Sequence, residues 1–160
     1  MEVNNKTHLV QAAYKDKPLM WGLLQNYLDE LSAYGSFDKA YPHFNLYWTD
    51  GDRWPYFIQL GNEVIGLCFI NKNSPFGYQT DFFLAEFYIK PACRKSGHGT
   101  KAVQAILEVY KGQWELAFFV KNAAALKFWP VVLSKSGIKD IKVIDRANVT
   151  VLKFSNKVIC

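Results

Sequence analysis

Cysteine and histidine are scarce in this sequence, and several kinds of segment are missing from it. There are three cysteines and three histidines in 160 residues, and Cys68, Cys93 and Cys160 lie far apart. An odd and unclustered cysteine set gives neither a disulfide framework nor the spacing of a zinc site, so we expect no metal and a reducing compartment. No run approaches the roughly 20 apolar residues of a membrane span, and the amino terminus lacks a basic, apolar leader. These features predict a cytoplasmic protein with no membrane partner.

Long runs of one charge are also absent. The formal charge is +5, from 19 basic and 14 acidic residues, and the lysines are scattered along the chain. Scattered lysines are typical of a solvated surface, so we expect no nucleic-acid partner, although the surplus is compatible with an anionic cofactor. Half of the residues are hydrophobic and 16% are aromatic. This composition predicts one domain over residues 1–160 with a large aromatic core.

The segment from Glu86 to Thr100 is the most informative part of the chain. A strand-like run ends at Ile89, the turn has the pattern Arg94-x-x-Gly97-x-Gly99, and a helical pattern starts at once. Glycines allow close approach of a ligand, and the first amides of a helix have no internal partner. The segment therefore predicts a pyrophosphate-binding turn. A dinucleotide-binding turn would have glycine where this chain has Arg94, and a P-loop would need Gly-Lys-Ser/Thr, which is missing. A plain strand-to-helix connection remains an alternative.

The rest of the chain predicts an α/β (α+β) fold. Its sheet should be mixed, twisted and largely antiparallel, with about four helices on its faces. The predicted strands are Val10–Ala13, Trp54–Leu60, Val64–Ile70, Phe82–Ile89, Trp114–Val120, Ile138–Ile144 and Val149–Phe154. Helices are predicted from Lys17 to Gly35, from the glycine turn to Tyr110, and from Asn122 onward, where Pro130 should kink the helix or end it early. The aromatic segment 36–52 should be a short helix and a loop.

Two motifs in this framework resemble the general N-acetyltransferase (GNAT) superfamily. Residues 89–99, IKPACRKSGHG, look like its hydrophobic-x-Pro-x-x-Arg-x-x-Gly-x-Gly signature. Residues 120–129, VKNAAALKFW, are similar to its Asn-x-x-Ala-x-x-Phe-Tyr stretch, and one helix and one strand separate the two motifs. The resemblance implies a single acyl-CoA N-acyltransferase domain. It also implies an enzyme that moves an acetyl group from acetyl-CoA to a primary amine of a small molecule or peptide, in a direct ternary complex.

The same resemblance implies a set of cofactor-binding residues. Main-chain amides of the glycine turn would hold the pyrophosphate, with Arg94 and Lys95 adding charge. Main chain near Tyr88 and Ile89 would bind the pantetheine arm and polarise the thioester carbonyl where the fourth and fifth strands splay apart. Asn122 would contact the same arm, although a helix N-cap is an equally good reading of that residue. The complete set is Ile89, Arg94, Lys95, Ser96, Gly97, His98, Gly99, Thr100, Asn122, Phe128 and Trp129. We expect the His98 side chain to face solvent or touch phosphate, and Trp129 to wall the CoA channel.

Glu86 and Tyr88 are the predicted catalytic residues. Transfer to an amine needs a base that removes a proton from the ammonium, and Glu86 interrupts an apolar strand where burial would raise its pKa. An edge-facing glutamate paired with a lysine is the alternative, and Glu115 or water held by Asp50 and Asp52 would be next as base. Trp129 replaces the tyrosine that the family often uses as an acid, so Tyr88, another tyrosine or solvent would supply that proton.

Two other functional classes remain open at this stage. An acyl-CoA-binding module without transferase activity is compatible with Trp129, and a nucleic-acid-binding domain would bind duplexes in a salt-dependent way. The sequence does not identify the acceptor amine, and it leaves a homodimer open.

Overall fold

A seven-stranded sheet with helices on both faces forms the framework of the protein. The computed structural model describes residues 5–157. Cys160 lies outside that range, whereas Cys68 and Cys93 are free thiols. The strands are β1 Thr7–Gln11, β2 Arg53–Leu60, β3 Glu63–Asn71, β4 Phe82–Ile89, β5 Gln113–Phe119, β6 Lys142–Arg146 and β7 Val149–Ser155. The helices are α1 Lys17–Leu31, α2 Leu46–Thr49, α3 His98–Val109 and α4 Ala123–Lys135, with 3₁₀ turns at Tyr14–Asp16 and Pro91–Cys93.

The strand order in the sheet is β1-β2-β3-β4-β5-β7-β6. All neighbours pair in antiparallel fashion except β4 and β5, which are parallel and are connected through α3. The β2–β3 hairpin turns at Gly61, whose φ of 60° suits a tight turn. The fold is therefore the mixed, largely antiparallel sheet with four helices that the sequence predicts.

Two separate cores lie on the two faces of this sheet. On one face α1 and α2 bury Met20, Leu24, Leu28, Tyr47 and Phe69 among others. On the other face α3 and α4 pack their apolar sides onto the sheet, to which β2, β3, β4, β5 and β7 contribute buried side chains. The spacing of the leucines in α1 is that of one helical face, and burial of such a face supplies most of a helix's stability. Segment 36–52 contains the short helix α2 and a loop, as predicted, and Phe44 of the loop packs between Trp21 of α1 and Trp48 of α2.

Of the two effects predicted for Pro130, a kink or an early end of the last helix, the early end is wrong. Helix α4 continues past Pro130 to Lys135. Proline removes one hydrogen bond to the carbonyl of Leu126, but both residues are exposed, so water can solvate that carbonyl. Val132 and Leu133 are buried in the core and hold the following turn of the helix in place.

The predicted strand from Ile138 to Ile144 begins later in the structure, at Lys142. Gly137, with φ of 81°, ends α4 in a left-handed conformation. The amide of Ile138 donates to the Leu133 carbonyl at 3.0 Å, and the amide of Gly137 donates to Ser134 at 3.1 Å. This is a Schellman motif, in which the apolar residue after the glycine packs back onto the helix. Ile138 is therefore hydrophobic because it packs against the end of α4, and it does not belong to a strand.

Among residues 5–157, no helix is both long enough and apolar enough to cross a membrane.

Candidate active site

The parallel strands β4 and β5 pair over only three residues and then separate. Phe82, Phe83 and Leu84 pair with 114–116, whereas β4 continues to Ile89 and β5 to Phe119 without further pairing. A cleft of about 1090 Å³ opens at this split and reaches both faces of the sheet. Parallel strands that part in this way leave main-chain groups available to a ligand. This separation agrees with the splay expected between the fourth and fifth strands.

A β-bulge at Ala85 determines which side chains of β4 face α1 and α2 at the split. Phe69 of β3 pairs with Glu86, whereas the next residue, Ile70, pairs with Leu84, so Ala85 is the extra residue. Beyond the bulge, Glu86 and Tyr88 project toward α1 and α2, while the intervening side chain projects toward α3 and α4. The hydrophobic pattern of β4 gives no sign of this irregularity.

The main chain of β4 alternates between its two neighbours in the same way. The amide of Lys90 donates to the Ile65 carbonyl of β3 at 2.8 Å. Main-chain groups two residues apart point to the same side, so those of Tyr88 also face β3, and those of Phe87 and Ile89 face the split. The Ile89 carbonyl accepts a hydrogen bond from Arg94 Nε at 2.8 Å. The groups of Phe87 and the amide of Ile89 thus face the cleft. The expectation that the main chain of Tyr88 would bind the pantetheine arm is wrong, because its groups face β3.

Glu86 lies in the cleft among tyrosine side chains. Tyr41 donates a hydrogen bond from its hydroxyl to Glu86 Oε1 at 3.1 Å, and Tyr27 donates a second one. Burial raises the pKa of Glu86 to about 7, and the two tyrosine hydrogen bonds oppose this shift because they favour the ionised form. A carboxylate in this state can accept a proton near neutral pH and return it to solvent.

Tyr88 is buried two residues after Glu86 and faces the same side. Its ring lies 5.4 Å from that of Tyr27, and the Arg94 guanidinium stands 5.6 Å from its centroid. Burial raises the pKa of the Tyr88 hydroxyl above its usual value; the charge of Glu30 adds to the rise and that of Arg94 opposes it. The hydroxyl is therefore protonated at neutral pH and available as a proton donor.

The glycine turn has the backbone of an anion-binding site. Lys95 and Gly97 have left-handed conformations, with φ of 66° and 82°, and Gly97 is the N-cap of α3. No side chain caps this helix end, so the amides of its first turn keep their hydrogen bonds for a ligand. A Cβ atom at Gly99 would lie 3.1 Å from the ring of Phe128. The glycine thus allows α4 to close over the turn.

The side chain of Arg94, which was expected to contact phosphate, pairs instead with Glu30. Its Nη1 and Nη2 contact the two carboxylate oxygens of Glu30 at 2.7 and 2.9 Å. With the Nε bond to Ile89, the guanidinium ties α1 to the end of β4 and to the turn. Its positive charge is matched by Glu30, so Lys95 supplies the unpaired charge at the turn.

His98 also differs from the prediction for its side chain. Its Nδ1 is hydrogen-bonded to the Thr7 hydroxyl at 2.9 Å, and the ring is partly buried against β1. It neither faces solvent freely nor reaches the cleft, and only its main chain contributes to the turn. The reason is tertiary: β1, at the sheet edge, packs against the first turn of α3.

The start of α4 forms the opposite wall of the cleft. Asn122 is the N-cap, since its Oδ1 accepts a hydrogen bond from the Ala125 amide at 3.1 Å. Phe128 stacks on Phe87 at 5.8 Å, and Trp129 is buried edge-on against the same ring at 5.3 Å. The indole thus packs where the hydrophobic core meets the cleft, which agrees with a wall residue.

The cleft brings together most of the residues that the sequence singles out. Both predicted catalytic residues line it, as do all the predicted cofactor residues except Ser96 and His98. Glu115 does not line it; that carboxylate is fully buried and accepts a 2.7 Å hydrogen bond from Ser74. Asp50 and Asp52 lie outside the lining as well. The sequence missed three contributors: Tyr27, Tyr41 and Arg53. Two of them carried a signal: Tyr27 is an aromatic residue on the apolar face of α1, and Tyr41 belongs to the aromatic segment 36–52.

No group of three or more metal-binding side chains of the kind His, Cys, Asp or Glu occurs within the described residues.

Comparison with known proteins agrees with this geometry. A model described as the acetyltransferase (GNAT) family matches residues 20–130. The chain belongs to this family. The matched region contains most of α1, the bulged strand β4, the glycine turn and the first half of α4, which all contribute to the lining of the cleft. As a GNAT acetyltransferase, the protein is an acyltransferase. No curated protein matches the sequence significantly.

Several solved structures share the fold of this GNAT acetyltransferase. An acetyltransferase from Thermus thermophilus superposes with a TM-score of 0.73 at 14% identity, covering 96% of this chain and 99% of the other. A spermidine N-acetyltransferase from Vibrio cholerae, solved with CoA and spermine, gives 0.62 at 15% identity, with coverage of 95% and 96%. A diaminobutyrate acetyltransferase from Paenibacillus lautus, solved with L-2,4-diaminobutyric acid and coenzyme A, gives 0.66 at 11%, with coverage of 96% and 99%. At these identities the likeness establishes the fold.

Proposed function

We propose that this protein transfers an acetyl group from acetyl-CoA to a primary amine of a small molecule or peptide, in a direct ternary complex. The observation that carries the proposal is that one cleft contains both the uncapped end of α3 and Glu86, whose pKa is about 7. The first is suited to a pyrophosphate and the second to deprotonation of an ammonium. The Vibrio and Paenibacillus proteins were solved with CoA and with an amine, which supports the same pairing of ligands here.

The residues on the α3 and α4 side fit CoA. The amides of the first turn of α3, with Lys95 beside them, would hold the pyrophosphate. The main chain of Phe87 and Ile89 would bind the pantetheine arm, and the Asn122 amide group would donate to the same arm while its oxygen caps α4. Phe128 would cover the arm on its apolar side. When bound, acetyl-CoA supplies the thioester whose acyl carbon the amine attacks.

Glu86 is proposed as the base on the acceptor side. Its carboxylate would take a proton from the ammonium, directly or through one water, and so generate the neutral nucleophile. The hydroxyls of Tyr27 and Tyr41 hold the carboxylate in one orientation. They also stabilise its ionised form, which keeps the pKa low enough for the base to be available at neutral pH.

Tyr88 is proposed as the source of the proton for the departing thiolate. Its raised pKa keeps the hydroxyl protonated at neutral pH. It follows Glu86 by two residues on the same strand face, so the base and the acid would share one side of the split.

The experiment that tests this function follows free-thiol release from acetyl-CoA with a panel of primary amines, and identifies acetylated products by mass spectrometry. We expect thiol release that depends on the amine, and a fall of about 100-fold or more in Glu86→Gln with unchanged acetyl-CoA affinity. Glu115→Gln is the matched control, since it makes the same change on the neighbouring strand outside the cleft. Tight acetyl-CoA binding without transfer to any amine would instead indicate an acyl-CoA-binding module.

A further inference from the structure

Arg53 presents a nearly buried guanidinium to the cleft that the proposed transfer chemistry does not use. It begins β2, lines the cleft, and has 13% of its side chain exposed. Its Nε lies 3.4 Å from Asp50 Oδ2 without a hydrogen bond, and among residues 5–157 no acceptor is found for its terminal nitrogens. Such a guanidinium is suited to a carboxylate or phosphate, because its planar fork binds these groups at two points.

The surroundings of Arg53 are polar and ordered. Arg53 pairs across the sheet with Asn71, which is buried and donates from Nδ2 to the Tyr47 hydroxyl at 3.1 Å. The Asn71 oxygen accepts the amide of Asn73 at 2.8 Å, and both asparagines line the cleft. Asp50 is 38% exposed and meets only the Nε edge of the guanidinium. The opposite edge is therefore left for a ligand that enters the cleft.

Tyr47 connects this guanidinium to Glu86. The Arg53 guanidinium lies 5.5 Å from the centroid of the Tyr47 ring. Burial raises the pKa of the Tyr47 hydroxyl; the Asn71 hydrogen bond and the Arg53 charge oppose the rise, whereas the Glu86 charge adds to it. Both charges thus act on one phenol, so the negative and the positive group lie in the same part of the cleft.

The register of the sheet gives the approximate distance between Glu86 and Arg53. Glu86 pairs with Phe69 and Arg53 pairs with Asn71, two residues further along β3. With strands about 4.8 Å apart and a rise of about 3.4 Å per residue, the two Cα atoms are roughly 12 Å apart. Both side chains then extend into one cleft. A Cα separation on this scale is compatible with a short chain or a single ring between the two side chains.

On the basis of the function proposed above, we infer that the acceptor is an amine that also carries an anionic group, with its nitrogen at Glu86 and its anion at Arg53. A carboxylate and a phosphate share the chemistry that the guanidinium recognises. The aromatic side chains of Tyr41, which contacts Glu86, and Tyr47, which contacts Arg53, favour a flat or short apolar spacer. Arg53 is in this assignment a specificity residue that binds substrate and takes no part in proton transfer.

Matched acceptors test the inference in the thiol-release assay. The first set is 4-(aminomethyl)benzoate, its uncharged amide 4-(aminomethyl)benzamide, and benzylamine. The second set compares ω-amino acids from glycine to 6-aminohexanoate with alkylamines of equal length, and 4-aminobutyrate with 3-aminopropylphosphonate. We expect kcat/KM for the best carboxylate to exceed that of its uncharged partner by about tenfold or more, mostly through KM. Preference for the phosphonate would identify phosphate as the anion recognised.

Variants of Arg53 link the preference to this side chain. Arg53→Gln should reduce the ratio of carboxylate to amide acceptor to near one, and Arg53→Lys, which keeps the charge without the fork, should give an intermediate ratio. Lys72→Gln is the matched control, since it removes a neighbouring exposed cation that does not line the cleft, and it should keep the parental ratio. Unchanged acetyl-CoA affinity in each variant shows that the fold is intact.

Calorimetric titration of 4-(aminomethyl)benzoate and its amide into CoA-saturated protein decides the subsite independently of turnover. If the benzoate binds more tightly than the amide and this difference is lost in Arg53→Gln, the inference is supported even when no amine is acetylated. The absence of acetylation would count only against the proposed transfer. Equal binding and equal kcat/KM for the benzoate and the amide would overturn the subsite while leaving the transferase intact. An equal fall for both ligands in Arg53→Gln would also overturn it.

Discussion

Glu30 and Arg94 form a two-point ion pair, with nitrogen-to-oxygen distances of 2.7 and 2.9 Å, that joins α1 to the glycine turn. Both residues line the cleft. Arg94 also binds the end of β4, so the ion pair fixes the position of the turn relative to α1. The same carboxylate neutralises a cation next to the proposed pyrophosphate site. The ion pair therefore orders the turn, but it also reduces the net positive charge there.

Removal of this carboxylate should strengthen CoA binding. In Glu30→Gln the Arg94 charge is no longer matched, and we expect the Kd for CoA to fall by roughly 3- to 10-fold at low salt. Calorimetry measures the change, and Asp29→Asn, which alters an exposed acid one residue earlier on α1, is the control. Weaker binding in Glu30→Gln would show that positioning of the turn outweighs charge.

A pair of substitutions at Gly97 should separate charge from backbone strain. Asparagine and aspartate both tolerate the left-handed conformation that this residue adopts, and they differ by one charge. We expect Gly97→Asp to weaken CoA binding by about tenfold or more relative to Gly97→Asn, because its carboxylate lies beside the phosphates. The difference should shrink at high salt. Equal affinities in calorimetry would contradict the assignment of the pyrophosphate to this turn.

The transfer rate should rise with pH through a limb centred near pH 7. Only the ionised form of Glu86 accepts a proton, and its pKa is about 7. In Glu86→Gln the limb should disappear, and the slower rate should follow the ionisation of the acceptor amine. The measurement is kcat/KM against pH in both proteins. A variant that keeps the parental profile would exclude Glu86 as the base.

Glu86 should also make stability depend on pH. Its folded-state pKa is raised, so the folded protein holds this proton more tightly than the unfolded chain does. The resulting stabilisation is present at pH 4 and is lost as pH rises through 7. We expect Glu86→Gln to be more stable than the parent at pH 8 by about 1 to 3 kcal/mol, and to lose that advantage at pH 4. Urea unfolding at the two pH values measures the difference.

Trp129 should be important for packing and not for chemistry. It is 7% exposed and contacts Phe87 and Phe128. We expect Trp129→Ala to lower the free energy of unfolding by about 3 to 5 kcal/mol, and Trp129→Tyr to stay within a few-fold of the parental kcat. Thermal unfolding and steady-state kinetics provide the two readouts. A large loss of kcat in Trp129→Tyr, with unchanged melting and CoA affinity, would reveal a direct role for the indole.

The sequence determined the features of this protein that depend on neighbouring residues. The bounds of β4, Phe82–Ile89, agree with the prediction, and so does the order of strand, glycine turn and helix after it. Strand propensity, the conformational freedom of Gly97 and the helical spacing after Gly99 act over a few residues and can be read locally. The N-cap role of Asn122 is local for the same reason.

The tertiary structure decided which side chains share the cleft and in what state. The bulge at Ala85 depends on how β3 meets β4, and it turns Glu86 toward Tyr41, 45 residues away along the chain. The pairing of Arg94 with a glutamate 64 residues earlier, and the approach of Arg53 to the same space, depend on packing of α1 and α2 on the sheet. Local sequence carries no record of such contacts, because charge and burial depend on segments that only the folded sheet brings together.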